Sequence, residues 1–318
     1  MAYQQELEVA IAAVQAAAAV CEKVRAEMVP EAIEKSDKSP VTVADFGAQA
    51  VVCHRLKTAF ASDPIVGEED ADDLQTPEMA SQLARVTQYV QTVIAEATPA
   101  QVTTWINQGN GEVSSRYWTL DPIDGTKGFL RGDQYAVALA LIEDGDLKVG
   151  VLGCPALTLG DRSGILFTAV RGQGATMMNL DGSNPEKITV TTSADPGRFR
   201  FVESVAHGDQ ELHATIAQAV GITADSVRMD SQAKYGAVAA GDAVLYLRLP
   251  SPKYPGYREK IWDHAAGVLI TEEAGGRVTD MHGKPLDFSK AARFPDNQGV
   301  IVSNGEIHDR VLAALEQQ

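Results

Sequence analysis

Four separated segments of this 318-residue chain carry acids in places where chemistry could be built. They are Asp45 in Thr42-Val-Ala-Asp45, the pair Glu68-Glu69, Asp121 with Asp124, and Asp263 in Trp262-Asp-His-Ala-Ala-Gly267. Each stands where the pattern ends a strand or opens a helix. Such places bring side chains to one edge of a sheet, where αβ enzymes tend to build sites. Carboxylates that converge there repel one another, and burial adds to the cost. A divalent cation removes that penalty. Oxygen ligands alone, with no His or Cys at ligand spacing, select a hard ion such as Mg2+ over zinc. Asp121 is the natural carboxylate to bridge two ions, because Asp124 lies three residues on. Pro122 restricts the backbone between them, so the Ile123 carbonyl could face a metal as well.

Gly125-Thr126 follows directly. Glycine lets the backbone approach an anion closely. A helix opening there would offer free N–H groups to a phosphate. A Thr126 hydroxyl beside Asp45 would make a relay able to orient a water. Metals acidify such a water and neutralise phosphoryl oxygens, so the chemistry implied is hydrolysis of a phosphate monoester. Taken singly, each segment has a plainer reading. Asp45 at the third position of a helix complements the helix dipole, and so does Asp263 near a helix start. Glu68-Glu69-Asp70 reads as a solvated loop, and Asp121-Pro-Ile-Asp-Gly-Thr126 as a turn. The four together, with apolar strands leading into them, point to one site. A calcium loop is excluded, since Asp144-Gly-Asp146 lacks the glycine and distal Glu of an EF-hand.

The elements that must position these residues follow from periodicity. Leu7, Ile11, Val14, Ala18, Cys21 and Met28 recur at helical spacing, predicting a helix over 4–28 that breaks at 36–40. Thr42 with Asp45 has capping-box spacing and opens a second helix to about Ala59. Pro64 to Gly67 reads as a short strand, 78–97 as helix, and Tyr117 to Leu120 as a strand running into Asp121. A meander follows: Tyr135 to Ile142, Leu147 to Cys154 about Asp144-Gly145, then Ile165 to Val170, Ala175 to Asn179 and Lys187 to Thr191. Pro196-Gly197 divides an N-terminal domain, 1–196, from a C-terminal one, 197–318. In the second, strands are expected at 200–205, 226–229, 243–248, 276–280 and 299–303. Helices are expected at 209–220, 232–240, 263–274 and 306–317. The fold class is α/β (α+β): an antiparallel sheet with paired helices, then a mixed, partly parallel αβ layer carrying Asp263.

Composition bounds the function. Hydrophobic residues make up 45% and charged residues 22%, which fits a globular protein and excludes a disordered chain, a fibre or a coiled coil. Lys and Arg number 27 against 43 Asp and Glu, a net charge of −16. That argues against nucleic-acid partners and against anionic membrane. An anionic substrate would then need bound cations or a small basic patch. Cys21, Cys53 and Cys154 form no CxxC pair, which suggests reduced thiols in a reducing compartment. With no signal peptide and no apolar run long enough to span a bilayer, a cytoplasmic location is expected, an organelle being the alternative if a leader precedes Met1.

These segments, in this order, resemble the lithium-sensitive, magnesium-dependent phosphatase superfamily that includes inositol monophosphatase and fructose-1,6-bisphosphatase. The likeness runs from Asp45 to Gly276. Three stretches resemble its 3′(2′),5′-bisphosphate nucleotidase branch in particular. They are Trp118 to Arg131, with its Lys127-Gly-Phe-Leu-Arg131 extension, Met229 to Tyr235, and Tyr257 to Gly267 with Arg258-Glu-Lys260 before Ile261. The resemblance implies a layered αβαβα sandwich with the site between two domains. It implies Glu68, Asp121 and the Ile123 carbonyl at one magnesium, and Asp121, Asp124 and Asp263 at another. Glu69 would stand beside the cluster and a third, weaker magnesium near Glu68. Asp45 and Thr126 would activate the water, and Li+ would inhibit by taking a metal position.

Ser231, Lys234 and Arg248 match positions that hold nucleotide, and His207 a position that packs on adenine. A second phosphate needs a cation away from the metals, which Lys234 or Arg248 would supply. Ala206-His-Gly-Asp-Gln210 departs from the usual Ser-rich, two-His stretch, and Pro250 to Gly256 is a few residues longer than the commonest form. The expected reaction is removal of the 3′-phosphate from adenosine 3′,5′-bisphosphate, with adenosine 3′-phosphate 5′-phosphosulfate as a second substrate, in sulfur assimilation. Inositol polyphosphate or monophosphate hydrolysis is the rival activity, and a non-catalytic nucleotide sensor the rival from another class. A monomer or weak dimer is expected.

Overall fold

The structure, a computed structural model, describes residues 2–27, 33–34, 40–192, 199–205, 210–251, 253–254 and 256–317. Most of the expected break at 36–40, the Pro196-Gly197 boundary and His207 lie outside the described residues. Helix α1 (Gln4–Glu27) is followed by a short antiparallel pair, β1 (Ile33–Glu34) and β2 (Pro40–Val41), and by α2 (Val43–Ala59). Small residues on α1, Ala10, Ala13, Ala17 and Ala18, are buried and let α1 lie close on α2 and the sheet beneath. β3 (Ile65–Gly67) then leads through the acidic loop to α3 (Ala80–Val90) and α4 (Pro99–Asn107).

After these come β4 (Arg116–Asp124), the short α5 (Thr126–Arg131), β5 (Ala136–Glu143), β6 (Asp146–Leu159), β7 (Arg162–Val170), β8 (Ala175–Asn179) and β9 (Glu186–Ile188). The strands from β3 to β9 form one sheet in chain order, antiparallel except for the parallel pair β3–β4. The remaining elements are β10 (Phe201–Glu203), α6 (Gln210–Ala219), β11 (Val227–Arg228), α7 (Ala233–Ala239), β12 (Leu245–Arg248), α8 (Ala265–Glu273), β13 (Arg277–Thr279), β14 (Val300–Ser303) and α9 (His308–Leu315). Their strands form a second sheet in the order β11-β10-β12-β14-β13. β10 is parallel to both neighbours, and β14 antiparallel to both of its own.

Packing gives five layers. α1 and α2 cover one face of the large sheet around Val14, Val51, Leu120 and Leu139. α7 and α8 fill the middle with Phe167, Tyr235, Leu269 and Val302. α6 and α9 close the outer face of the small sheet around Ile216, Leu245 and Val311. Two glycines make the middle layer thin. A Cβ on Gly236 would come 2.5 Å from the Phe167 ring, and one on Gly267 2.4 Å from Tyr235. Any larger residue would push α7 off the sheet or α8 off α7.

Two expected elements differ. The helix read over 78–97 ends at Val90 and gives way to turns, and a separate helix, α4, follows. Its signal was in the chain: Thr98 and Gln101 form a capping box with Pro99 at the first helical position. The strand read over 187–191 stops at Ile188, because Val190 N–H turns to the Ala274 carbonyl beyond α8. Among the described residues no helix is long and apolar enough to cross a membrane.

Candidate active site

Strand pairing brings the first acids together. β3 runs parallel to β4 with Gly67 opposite Leu120, and Glu68 N–H continues to the Leu120 carbonyl at 3.2 Å. Glu68 therefore leaves β3 level with Asp121 on β4. Asp121 and Asp124, three residues apart, would face opposite sides of a regular strand. The pairing with β5 slips between them: Asp121 lies opposite Ala138 and Asp124 opposite Ala136. One extra residue is thus absorbed at Pro122-Ile123, and this bulge turns both carboxylates to the same face. Asp263 arrives just before α8, in the layer packed against that face.

The crowding is plain in the titration of these groups. Burial, and then the charges of Glu68, Asp124 and Asp263, hold the Asp121 carboxyl well above the usual carboxylate range. Asp121 Oδ1 is buried with no hydrogen-bond partner. Burial and Asp263 push Asp124 up to about 6, although Lys234, Arg248 and the Gln232 N–H, 2.6 Å from Oδ2, pull it down. An all-oxygen donor set with an orphaned buried oxygen suits a hard dication. The residues present fit magnesium.

Asp45 stands at the other side of Thr126. The Thr42 N–H and hydroxyl both donate to Asp45 Oδ2, each at 2.7 Å, so one carboxylate oxygen is tied into the capping box of α2. The other, Oδ1, faces the Thr126 hydroxyl at 3.3 Å, and that hydroxyl is 3.2 Å from the Ile123 carbonyl. Asp45 is fully buried, whereas Thr126 is half-buried at the start of α5. Gly125 takes φ +89°, a conformation that favours glycine, and turns β4 into that helix.

Ser231, Lys234 and Arg248 lie across the site, in the elements of the small sheet's inner face. The buried Lys234 ammonium reaches the Met229 carbonyl at 3.3 Å and lies 5.0 Å from the centre of the Tyr246 ring. Burial draws its pKa down to about 8, against the attraction of Asp124. Arg248 is already engaged: Nε donates to Glu259 Oε2 at 2.7 Å and Nη2 to Asp263 Oδ2 at 3.0 Å. Glu259 also meets His264 Nε2 at 3.5 Å, while His264 Nδ1 is hydrogen-bonded to the Tyr235 hydroxyl at 2.6 Å. Glu259, Asp263 and His264 lie close enough to hold an ion by themselves. Arg248 occupies that role, bridging the two carboxylates as a fixed cation.

The Inositol monophosphatase family model matches residues 3–318. The chain belongs to the inositol monophosphatase family. A rice protein named 3′(2′),5′-bisphosphate nucleotidase is 42% identical, over 99% of this chain and 94% of its own. A Schizosaccharomyces pombe protein of the same name is 43% identical, over 99% and 96%. In fold, the chain matches the Thermotoga maritima IMPase with a TM-score of 0.69, 24% identity and coverage of 99% and 98%. It also matches CysQ from Bacteroides thetaiotaomicron, with a TM-score of 0.63, 22% identity and coverage of 96% and 99%.

Two glutamines that hold this family member's acidic loops were missed by the sequence reading. Gln49 is fully buried one turn after Asp45, on the same face of α2. Its Nε2 donates to the carbonyls of Glu69 and Ile106, and its Oε1 accepts from Glu69 N–H at 3.1 Å, so it anchors the Glu68-Glu69 loop through main chain. A lone amide among Ala48, Ala50, Val51 and Val52 was the available signal. Gln232 joins Asp124 to the Asp263 segment: its Nε2 donates to the Trp262 carbonyl at 2.9 Å and its Oε1 accepts from Gly267 N–H at 3.0 Å.

Proposed function

We propose that this protein is a phosphatase that removes the 3′-phosphate of adenosine 3′,5′-bisphosphate, giving AMP and inorganic phosphate. Adenosine 3′-phosphate 5′-phosphosulfate is the second substrate, which places the activity in sulfur assimilation. One observation carries the reading: the orphaned, buried Asp121 oxygen among three other acids, in a chain whose relatives at 42–43% identity bear the nucleotidase name. Glu68, Asp121, the Ile123 carbonyl, Asp124 and Asp263 would hold two to three Mg2+ ions, with Glu69 at their edge. Bound magnesium supplies neutralising charge and an acidic water. Li+ inhibits by competing for one of those places.

The chain's own residues do the rest. Thr126 takes a proton from the attacking water and passes its own to Asp45 Oδ1, whose partner oxygen is fixed by Thr42. The water oxygen bonds to phosphorus as the bond to the ribose 3′-oxygen breaks; that oxygen takes a proton from solvent, and Asp45 gives its own back to solvent. The Gly125 backbone makes room for the 3′-phosphate. Ser231 and Lys234 bind the ribose and the 5′-phosphate, Arg248, held by Glu259 and Asp263, adds its positive charge to that pocket, and His207 packs on adenine.

The same reading divides the chain at 196/197, with most metal ligands before the division and Asp263 and the nucleotide contacts after it. The partner is a small nucleotide rather than nucleic acid or membrane, given the net charge of −16. The protein acts as a monomer or weak dimer in a reducing compartment, the cytoplasm, where three free, buried cysteines are at home. Phosphate release from adenosine 3′,5′-bisphosphate, measured beside inositol monophosphate and inositol bisphosphate with Mg2+, with Mg2+ plus Li+, and without metal, is the test. Mg2+-dependent release, fastest from the nucleotide and suppressed by Li+, supports the reading. Faster release from an inositol phosphate overturns the substrate, and tight nucleotide binding with no release overturns the enzyme.

A further inference from the structure

The Lys127-Gly-Phe-Leu-Arg131 extension ends on a residue the mechanism leaves unused. Arg131 closes α5, the helix that begins at Thr126. Its Nε donates to Asp133 Oδ2 at 2.9 Å, and its Nη2 donates to Asp230 Oδ2. Asp230 is 6% exposed, and it touches α5 again at Gly128, where an added Cβ would come 2.9 Å from Asp230 Oδ2 and 3.0 Å from its Cβ. Arg25, from the last turn of α1, holds the turn beyond Arg131 through the carbonyls of Gly132 and Asp133. The helix is thus fixed at its far end, and Asp230 is fixed to the helix.

Asp230 begins a strained stretch. Ser231 has φ +66°, a left-handed conformation that is strained for a non-glycine residue. The strain aims the next groups: Gln232 N–H at Asp124 Oδ2, and Lys234 into the buried place beside Tyr246. Ser231 also lies against Gly125, its Cβ 3.0 Å from where a glycine Cβ would stand.

We propose that the Arg131–Asp230 ion pair is a latch that sets the spacing between α5 and the Ser231–Lys234 segment, making Arg131 a positioning residue for a substrate with two phosphates. This rests on the reading that α5 serves the reacting phosphate and Lys234 the distal one. A surface ion pair adds little to stability. Here one partner is buried, so removing the arginine leaves a carboxylate that must swing toward water, and Ser231 relaxes with it.

Arg131→Met and Asp230→Asn, singly and together, should each raise KM for adenosine 3′,5′-bisphosphate about ten-fold, with the KM for adenosine 3′-monophosphate nearly unchanged and any fall in kcat the same on both substrates. The double variant should be no worse than either single one, and Arg131→Lys should recover part of the loss. Hydrogen exchange of the 229–236 peptide reads the latch without any substrate, and should quicken in Arg131→Met and recover in Arg131→Lys. Unchanged exchange, or equal KM losses on both substrates, would overturn the latch. Failure of the wild-type protein to cleave the bisphosphate would instead sink the substrate assignment, with the exchange experiment still deciding whether the latch exists.

Discussion

Asp121 and Glu259 are both buried carboxylates of the same site, and they titrate in opposite directions. Burial opposes ionisation at each. At Glu259 the guanidinium of Arg248 and the ring of His264 overcome it and bring the acid down to about 2. At Asp121 the strongest neighbours are three more acids, and the carboxyl is driven up. One cluster carries its counter-charge in the fold. The other leaves Asp121 Oδ1 without a partner, the place the proposed ion would fill. An acidic cluster alone is weak evidence for an ion site; one whose central carboxylate meets acids and no cation is stronger.

The sharpest way to break this contrast is to neutralise Asp121. Asp121→Asn should lower Mg2+-dependent kcat by about 10³-fold or more, the several kcal/mol expected of lost metal charge stabilisation. In metal-free protein it should raise Tm by about 2 °C, because repulsion is relieved. Near-normal turnover, or a fall in metal-free Tm, would show that Asp121 is not the centre of the cluster. The converse change, Arg248→Met, leaves Glu259 buried without its cation and should cost about 3 kcal/mol in denaturant unfolding. Adding Glu259→Gln should recover part of that, and full additivity would count against a coupled pair.

Stability against pH reads both clusters in one titration. Asp124 has a folded value of about 6, above its ordinary 3.8, so the stability it contributes is present at low pH and is lost as pH rises from about 4 to 6. Saturating Mg2+ should abolish that loss. Glu259 has a folded value of about 2, below its ordinary 4.5, so its contribution is present above about 4.5 and is lost as pH falls to 2. Metal-free protein should therefore be most stable near pH 4, where the two windows meet, and lose roughly 2 kcal/mol on each side of it. A Mg2+-insensitive profile would contradict the reading of Asp124. The smallest effect is expected at Gln49→Leu, about 1 kcal/mol in unfolding, with weaker Mg2+ affinity because the Glu68-Glu69 loop loses its anchor. Equal affinity would make Gln49 merely a core residue.

The acids and the glycine turn were legible because their chemistry is local. Asp121-Pro-Ile-Asp-Gly-Thr126 states its own spacing, and the apolar runs around Asp144-Gly145 announce the meander. What the chain hid depends on partners distant in sequence. The bulge at Pro122-Ile123 exists only in register with β5. Gln49 and Gln232 bind main-chain atoms of Glu69, Ile106, Trp262 and Gly267, which no side-chain pattern marks. Arg248 read as a cation for substrate, and the two carboxylates that already hold it come from a loop and a helix start more than ten residues on. α4 was missed where a capping box and a proline had announced it.

Titration calorimetry of Mg2+ into metal-free protein, at pH 6 and at pH 8, tests the acids around Asp121 directly. Binding to the wild-type protein should release protons at pH 6, where Asp124 is partly protonated, and at both pH values the heat should be lost in Asp121→Asn while Arg248 and Glu259 stay intact. Identical binding by the two proteins, or none by the wild type, would contradict it.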